Sequence, residues 1–171
     1  MDASRYSAVE SLRDGRTINI RSLRPEDRDV FTAAVKRTSN QSIYRRFFTP
    51  RRNFTESETS FFVDVDFVKQ VALIAVDETD QHHEIVGGGR FVVGQPGEAE
   101  LAFMVVDQYQ GKGIGTALLR HLIAIGRDSG LRELTADVLS DNTPMLKVFA
   151  RNGFRAGAGR ERGTRHLILQ L

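Results

Sequence analysis

The part of this sequence whose residue types and spacing best indicate chemistry is the run Gln110-Gly111-Lys112-Gly113-Ile114-Gly115, between a predicted strand and a predicted helix. Its glycines at alternate positions carry no side chains and let the backbone approach a ligand closely. The helix that follows adds unpaired N–H groups and the positive end of a helix dipole. Together with the charge of Lys112, the run predicts a cradle for an anion such as a pyrophosphate.

Two known phosphate-binding motifs do not match this run. A P-loop requires G-x-x-x-x-G-K-[ST], but Lys112 is followed by Gly113, and no glycine lies five residues before Gly111. A dinucleotide-binding fingerprint requires G-x-G-x-x-G, whereas the spacing here is G-x-G-x-G after strands that look antiparallel. A glycine-rich connection that binds no ligand is the alternative at this point.

The hydrophobic pattern predicts the elements that must hold this run in place. Predicted strands cover about residues 17–23, 70–77, 84–93, 98–106, 131–139, 154–158 and 164–171. Predicted helices cover about residues 25–37, 42–48, 55–65, 115–129 and 142–153. A strand–helix–strand crossover makes the strand at 131–139 parallel to the one before it, while the earlier strands form an antiparallel meander. The class is therefore α+β with a mixed sheet.

Composition narrows the class of protein. The 171 residues are 40% hydrophobic and 27% charged, which fits one compact domain. The longest apolar runs, Val71–Val76 and Leu101–Val106, are too short to span a bilayer, and the N-terminus lacks the apolar core of a signal peptide. We therefore predict no membrane partner and a cytoplasmic location. Residues 1–16 are polar and weakly patterned, and we predict a flexible N-terminus there.

Cysteine content and net charge exclude several kinds of site. With no cysteine, the chain has no disulfide, no thiolate zinc site and no cysteine nucleophile. The net charge is only +2, so we predict no nucleic-acid partner. The adjacent His82 and His83 do not favour a metal site, because neighbouring side chains diverge on a strand.

The order of motifs resembles the GCN5-related N-acetyltransferase (GNAT) superfamily. Its signature [QR]-x-x-G-x-[GA] is matched by Gln110, Gly113 and Gly115, and Val138–Phe154 is similar to the second half of that superfamily. The resemblance covers nearly the whole chain. It implies a single acetyltransferase domain over residues 17–171 with a mostly antiparallel sheet of about seven strands and four to five helices.

A more specific resemblance is to the acetyltransferase domain of bacterial protein-lysine acetyltransferases, which act on acyl-CoA synthetases and other metabolic enzymes. The residues that carry it are LRPEDRD (Leu23–Asp29), SIYRRFF (Ser42–Phe48), VALIAV (Val71–Val76), IVGGGRF (Ile85–Phe91) and AELAF (Ala99–Phe103). It implies transfer of acetyl from acetyl-CoA to a protein lysine. The absence of cysteine points to direct attack by the amine in a ternary complex, because no cysteinyl intermediate can form.

The resemblance also implies where acetyl-CoA binds, namely between the strands at 98–106 and 131–139. The pantetheine arm would pair with backbone groups of Met104, Val105 and Val106. Asn142 would cap its helix and face the pantetheine amide. The pyrophosphate would be held by Gln110, Gly111, Lys112, Gly113, Ile114, Gly115 and Thr116. No metal is expected.

By the same resemblance, AELAF holds the general base, and Glu100 matches it. Alternation places Glu100 on one face of its strand with Ala102 and Met104. A base is needed because a lysine with a pKa of about 10.4 loses its proton at neutral pH only at a cost of about 4 kcal/mol. A surface glutamate paired with an arginine is the alternative, and Glu98 is the weaker substitute.

One departure from the superfamily leaves alternatives open. Many members have a tyrosine that protonates the leaving thiolate, at the position where this chain has Phe149. Here the proton would have to come from solvent, or from Tyr109 or Ser140, both weak candidates. The departure also motivates a non-catalytic acetyl-CoA sensor as an alternative function. A further alternative acceptor is a small amine, and we expect a monomer or homodimer. An arginine-rich stretch could contact an acidic protein surface or the 3′-phosphate of CoA through Arg45, Arg46, Arg51 and Arg52.

Overall fold

A mixed sheet forms the frame of the computed structural model, which describes residues 2–48, 53–79, 83–158 and 163–171. Within those residues the sheet has eight strands in the order β1-β2-β3-β4-β5-β6-β8-β7. Neighbouring strands are antiparallel except β5 and β6, which are parallel. The strands are β1 (Ser7–Ser11), β2 (Thr17–Ser22), β3 (Gln70–Asp77), β4 (Glu84–Gln95), β5 (Glu98–Val105), β6 (Glu133–Leu139), β7 (Arg155–Ala156) and β8 (Thr164–Gln170).

Five α-helices in the described residues flank the sheet, and two of them begin at capping residues that the sequence predicts. They are α1 (Arg28–Lys36), α2 (Asn40–Phe47), α3 (Glu56–Val63), α4 (Ile114–Asp128) and α5 (Thr143–Arg151). Thr55 and Glu58 form the predicted capping box of α3. Asn142 caps α5 by accepting the Met145 N–H at 3.4 Å. No helix in the described part of the chain is long and apolar enough to cross a membrane.

The main core lies between the sheet and α4. Leu118, Leu119 and Leu122 of α4 are fully buried against β3, β4 and β5. The approach is close because β4 presents glycine here: a Cβ on Gly89 would lie 2.6 Å from Phe103 and 3.0 Å from Leu122. Gly87 and Gly89 of the β4 triplet are therefore explained by helix packing, since a Cβ at Gly87 would also lie 3.0 Å from Ile114 of α4. Gly88 faces the other side of the sheet, where a Cβ would make only ordinary contacts.

The predicted fold class and the antiparallel meander are confirmed, and the parallel pair is confirmed as well. No strand is predicted before residue 17, where the sequence favours a flexible N-terminus, but Ser7–Ser11 pairs with β2 and adds an eighth strand to the sheet. This strand has no buried residue, and Val9 is 75% exposed, so it lacks the alternation that marks a strand in sequence. Arg51, Arg52 and His82 lie outside the described residues.

Candidate active site

The candidate site lies where β5 and β6 separate. The two strands pair only at Glu98–Glu133, Ala99–Leu134 and Glu100–Thr135, and they diverge beyond Glu100. The opening holds a cleft of about 270 Å³, lined by residues 101–105 of β5 on one side and by Asp137 and Val138 of β6 on the other. Because no described strand pairs with that edge of β5 beyond Glu100, its backbone groups are available to an extended ligand.

The glycine-rich loop closes one end of the cleft. Gly111 has a φ of +75° and Gly113 a φ of +101°, values that residues with a side chain rarely adopt. A Cβ on Gly111 would meet nothing within 4 Å, so backbone conformation rather than space requires glycine there. The Gln110 side chain fixes the loop, because its amide donates to the Val105 carbonyl and to Ser42 Oγ, each at 3.0 Å.

The N-terminus of α4 faces the same end of the cleft. Its N-cap, Gly113, has no side chain that could accept from the first turn, and that turn contains no acidic residue. The unpaired N–H groups and the dipole therefore act on the cleft, which Ile114, Gly115 and Thr116 line. Five basic residues also line the cleft, namely Arg13, Arg45, Arg46, Lys147 and Arg151. These features fit an anionic cofactor with a pyrophosphate.

Nine of the eleven residues predicted to bind the cofactor line this one cleft. They are Met104, Val105, Gln110, Gly111, Gly113, Ile114, Gly115, Thr116 and Asn142. The other two do not line it. Val106 is 1% exposed and donates its N–H to the Val86 carbonyl at 2.9 Å. The Lys112 Nζ lies 3.5 Å from Asp14 Oδ2 and 5.3 Å from the ring centre of Tyr109.

Glu100 lies at the point where the parallel strands separate, as the last residue of β5 that pairs with β6. It is exposed, and the face that it shares with the half-buried Ala102 and Met104 is the one predicted from alternation. Its charged neighbour is Arg46 of α2. Burial lowers the pKa of the Arg46 guanidinium to about 10, while the charge of Glu100 acts in the opposite direction.

The residues considered for protonating a leaving thiolate have different surroundings. Phe149 is 1% exposed and packs against Phe103 and Phe154, with ring centres 5.4 and 4.8 Å away. Tyr109 lines the cleft, but its hydroxyl donates to Asp77 Oδ2 at 3.1 Å, and burial together with that carboxylate raises its pKa. Ser140 is exposed and does not line the cleft. Tyr109 is thus a packed loop residue beside the cradle.

One polar cluster that the sequence did not indicate connects α2 to this loop. Asp107 accepts from the Ser39 N–H at 2.9 Å, from Ser39 Oγ at 2.7 Å and from Ser42 Oγ at 3.2 Å. Ser42 in turn accepts from Gln110. The Asp107 cluster therefore holds the helix that carries Arg45 and Arg46 against the cofactor cradle. Arg13 was also missed, because its segment shows no pattern in sequence. Among the described residues, no group of histidines and acids could hold a metal ion.

Comparisons with known proteins agree with this geometry. The sequence profile of the Acetyltransferase (GNAT) family matches residues 38–154. An acetyltransferase of Pseudomonas aeruginosa is 31% identical over 147 residues, which cover 85% of this chain and 79% of that protein. Acetyltransferase Pat of Mycolicibacterium smegmatis is 30% identical over 146 residues. That match covers 83% of this chain but 42% of Pat, so the chain spans less than half of that relative.

Solved structures give the same result. The GNAT domain of S. lividans PAT is 33% identical and superposes with a TM-score of 0.89, covering 96% of this chain and 97% of that one. The yncA protein of Salmonella typhimurium, solved with acetyl-CoA, has a TM-score of 0.69 over 90% of this chain and 94% of its own. At 20% identity that likeness concerns the fold alone. This chain belongs to the Acetyltransferase (GNAT) family, a family of acetyltransferases whose fold uses acetyl-CoA.

Proposed function

We propose that this acetyltransferase uses acetyl-CoA, without a metal, to acetylate the lysine side chain of a protein such as an acyl-CoA synthetase. The observation that carries the proposal is the exposed Glu100 at the point where β5 and β6 separate, directly before the residues of β5 that line a cleft with an anion cradle. An exposed position suits an acceptor that remains part of a protein surface. We also propose the cytoplasm as the place of action.

Each part of the site has a role in this reaction. The free edge of β5 at Met104 and Val105 pairs with the pantetheine arm, and the first turn of α4 holds the pyrophosphate. Acetyl-CoA supplies an activated thioester. Glu100 takes the proton from the attacking amine, and fixed backbone N–H groups of β5 stabilise the oxygen that gains charge. Because Phe149 offers no proton, solvent at the open cleft protonates the leaving thiolate.

The surroundings of Glu100 bear on the acceptor. A small polyamine would be favoured by an acidic pocket beside this residue. The described neighbour is instead the guanidinium of Arg46, and the lining of the cleft contains five basic residues against one acid, Asp137. This charge distribution disfavours a polycationic small molecule.

The test is transfer of acetyl from acetyl-CoA to purified acyl-CoA synthetases, with the modified lysine located by mass spectrometry. We expect acetylation that requires both the enzyme and acetyl-CoA. Calorimetry on the same preparation measures acetyl-CoA binding separately. Tight binding of acetyl-CoA with no transfer to any protein or to a broad panel of amines would contradict the proposal and support a sensor.

A further inference from the structure

A second, smaller cavity adjoins the cleft on the face of β5 that carries Glu100. Its volume is about 50 Å³, several times the 10–15 Å³ or so that one water needs. Arg46, Ala102 and Met104 line both the cleft and this cavity, so the two adjoin at the centre of β5. Arg90 of β4 lines the smaller cavity as well. The wall is otherwise mainly apolar, which leaves two guanidinium groups as its charged members.

Arg90 is a buried cation without a carboxylate partner in the described part of the chain. It lies opposite Ala102 in the β4–β5 pair and is 7% exposed. Its Nη1 donates to Gln70 Oε1 at 3.3 Å and its Nη2 to the Phe62 carbonyl at 2.5 Å. The guanidinium carbon lies 5.0 Å from the ring centre of Phe62. These neutral contacts orient the group but leave its charge unneutralised.

Arg46 reaches the same place from α2. Its guanidinium carbon lies 4.6 Å from the ring centre of Phe47, and it makes no hydrogen bond or ion pair with any described residue. Every fully buried side-chain nitrogen or oxygen in the described residues does have a partner. The nitrogens of Arg46 are therefore accessible, and they are free to bind a group that enters the cavity.

The electrostatics of the pair favour an anion. The pKa of both arginines is lowered to about 10, chiefly by burial, and at Arg90 the charge of Arg46 contributes to this lowering. Both side chains still carry a full charge near neutral pH, since that value lies about three units higher. Two like charges in a mainly apolar wall repel each other, and an anion between them relieves this repulsion. A planar carboxylate matches the guanidinium geometry.

We propose that Arg46 and Arg90 bind a carboxylate that the acceptor carries next to its reacting amine. The inference rests on the proposed function, because the acetyl group itself has no carboxylate and Glu100 lies on the same face. For a protein acceptor, this carboxylate is an aspartate or glutamate that neighbours the target lysine. For a free amino acid it is the α-carboxylate, so the two sources share one chemistry.

The kinetic test compares two peptides, acetyl-Glu-Lys-Glu-amide and acetyl-Gln-Lys-Gln-amide, with free lysine as a third acceptor. We expect kcat/KM for the glutamate peptide to be about tenfold higher, the effect of one charged contact of about 1.4 kcal/mol. In Arg46→Gln the ratio should fall to about one. Arg127→Gln, which removes an exposed charge on α4, is the matched control and should keep the ratio. Free lysine as the better substrate would assign the carboxylate to a small acceptor.

A binding test that needs no activity separates this inference from the proposed function. We expect glutarate, but not the neutral glutaramide at the same ionic strength, to raise the Tm of the chain, and Arg46→Gln to abolish the shift. Arg90→Lys keeps the positive charge and serves as a second variant in the same measurement in case Arg46→Gln does not fold. Equal peptide rates together with no glutarate shift would overturn the inference. Use of succinyl-CoA that depends on Arg46, with equal peptide rates, would overturn the assignment to the acceptor.

Discussion

In the proposed reaction, the two sides of β5 recognise their ligands in different ways. On the donor side, the cleft between β5 and β6 presents mainly backbone groups, namely a free strand edge, two glycines with positive φ and the first turn of α4, with basic side chains in its wall. On the acceptor side, charged side chains predominate: Arg46 and Arg90 line the smaller cavity, and Glu100 lies on the same face of β5 and acts on the charge of Arg46. Backbone geometry serves a cofactor common to a family, whereas side chains can change with the acceptor.

The largest expected effect comes from a substitution that impairs the acceptor side alone. Glu100→Gln should lower kcat/KM by about 10²- to 10⁴-fold at neutral pH, the usual contribution of a general base. Acetyl-CoA affinity should stay unchanged, because the cradle is made by other residues. The deficit should shrink as the pH approaches about 10, where the lysine amine loses its proton without help.

The matched control for this prediction is Glu98→Gln, two residues earlier on the same face of β5 and also exposed. We expect little change in its rate. Steady-state kinetics between neutral and alkaline pH, with calorimetry for acetyl-CoA, measure both variants. Full activity of Glu100→Gln at neutral pH would show that another group is the base.

The same contrast explains what the sequence predicts. The buried run VALIAV and the alternation of β5 identify their strands, because burial determines which positions of these strands carry apolar side chains. The cradle can also be predicted from the sequence, and two of its three glycines, Gly111 and Gly113, have positive φ. The sequence does not indicate strand β1 because none of its residues is buried, so that pairing with β2 rather than burial defines it.

The acceptor side could be predicted only in part. Glu100 stands out on its strand, but its neighbours come from distant segments of the chain. Arg46 precedes it by 54 positions, and Arg90 lies on another strand. Lys112 shows the same limit: its position in the motif predicts a place in the cradle, but the sequence does not show that the folded N-terminal segment brings Asp14 to it. Contacts of this kind depend on tertiary structure, which local spacing does not report.

A second prediction concerns a substitution that impairs acetyl-CoA binding on the donor side. Gly113→Ala should raise the Kd for acetyl-CoA by about tenfold or more, because a side chain at a φ of +101° costs about 1–3 kcal/mol and shifts the first turn of α4. Gly130→Ala is the matched control at the other end of the same helix, with a φ of +77° and open space at its Cβ. It should lower stability without changing the Kd. Equal Kd values for both variants would contradict the backbone cradle.

A smaller effect separates the two roles of Asn142. Asn142→Asp keeps the helix cap, so stability should change by less than about 0.5 kcal/mol. The new negative charge lies in the wall of the cleft and should weaken acetyl-CoA binding a few-fold. Asn142→Ala should lower stability by about 1 kcal/mol through the lost cap. Urea unfolding and calorimetry measure the two effects, and an unchanged Kd in the aspartate variant would limit Asn142 to capping.

The smallest effect concerns the Asp107 cluster, which connects the two sides. Burial raises the pKa of Asp107, but hydrogen bonds from Ser39 and Ser42 outweigh it, so the pKa in the folded state is lowered. Such a carboxylate stabilises the fold above the unfolded pKa of about 3.9, and this stabilisation is lost as the pH falls through the folded value. Asp107→Asn should therefore cost about 1 kcal/mol at neutral pH and progressively less in acid.

The control for this last variant is Asp66→Asn. Asp66 accepts the N–H groups of Val68, Lys69 and Gln70 at 3.0, 2.9 and 2.9 Å, away from the cleft. Urea unfolding should show a similar, pH-dependent loss of stability in both variants. Only Asp107→Asn should also lower kcat/KM for the peptides, because it loosens α2, and with it Arg46, from the loop that holds the cofactor. Equal kinetics in the two variants would mean that donor and acceptor sides are positioned independently.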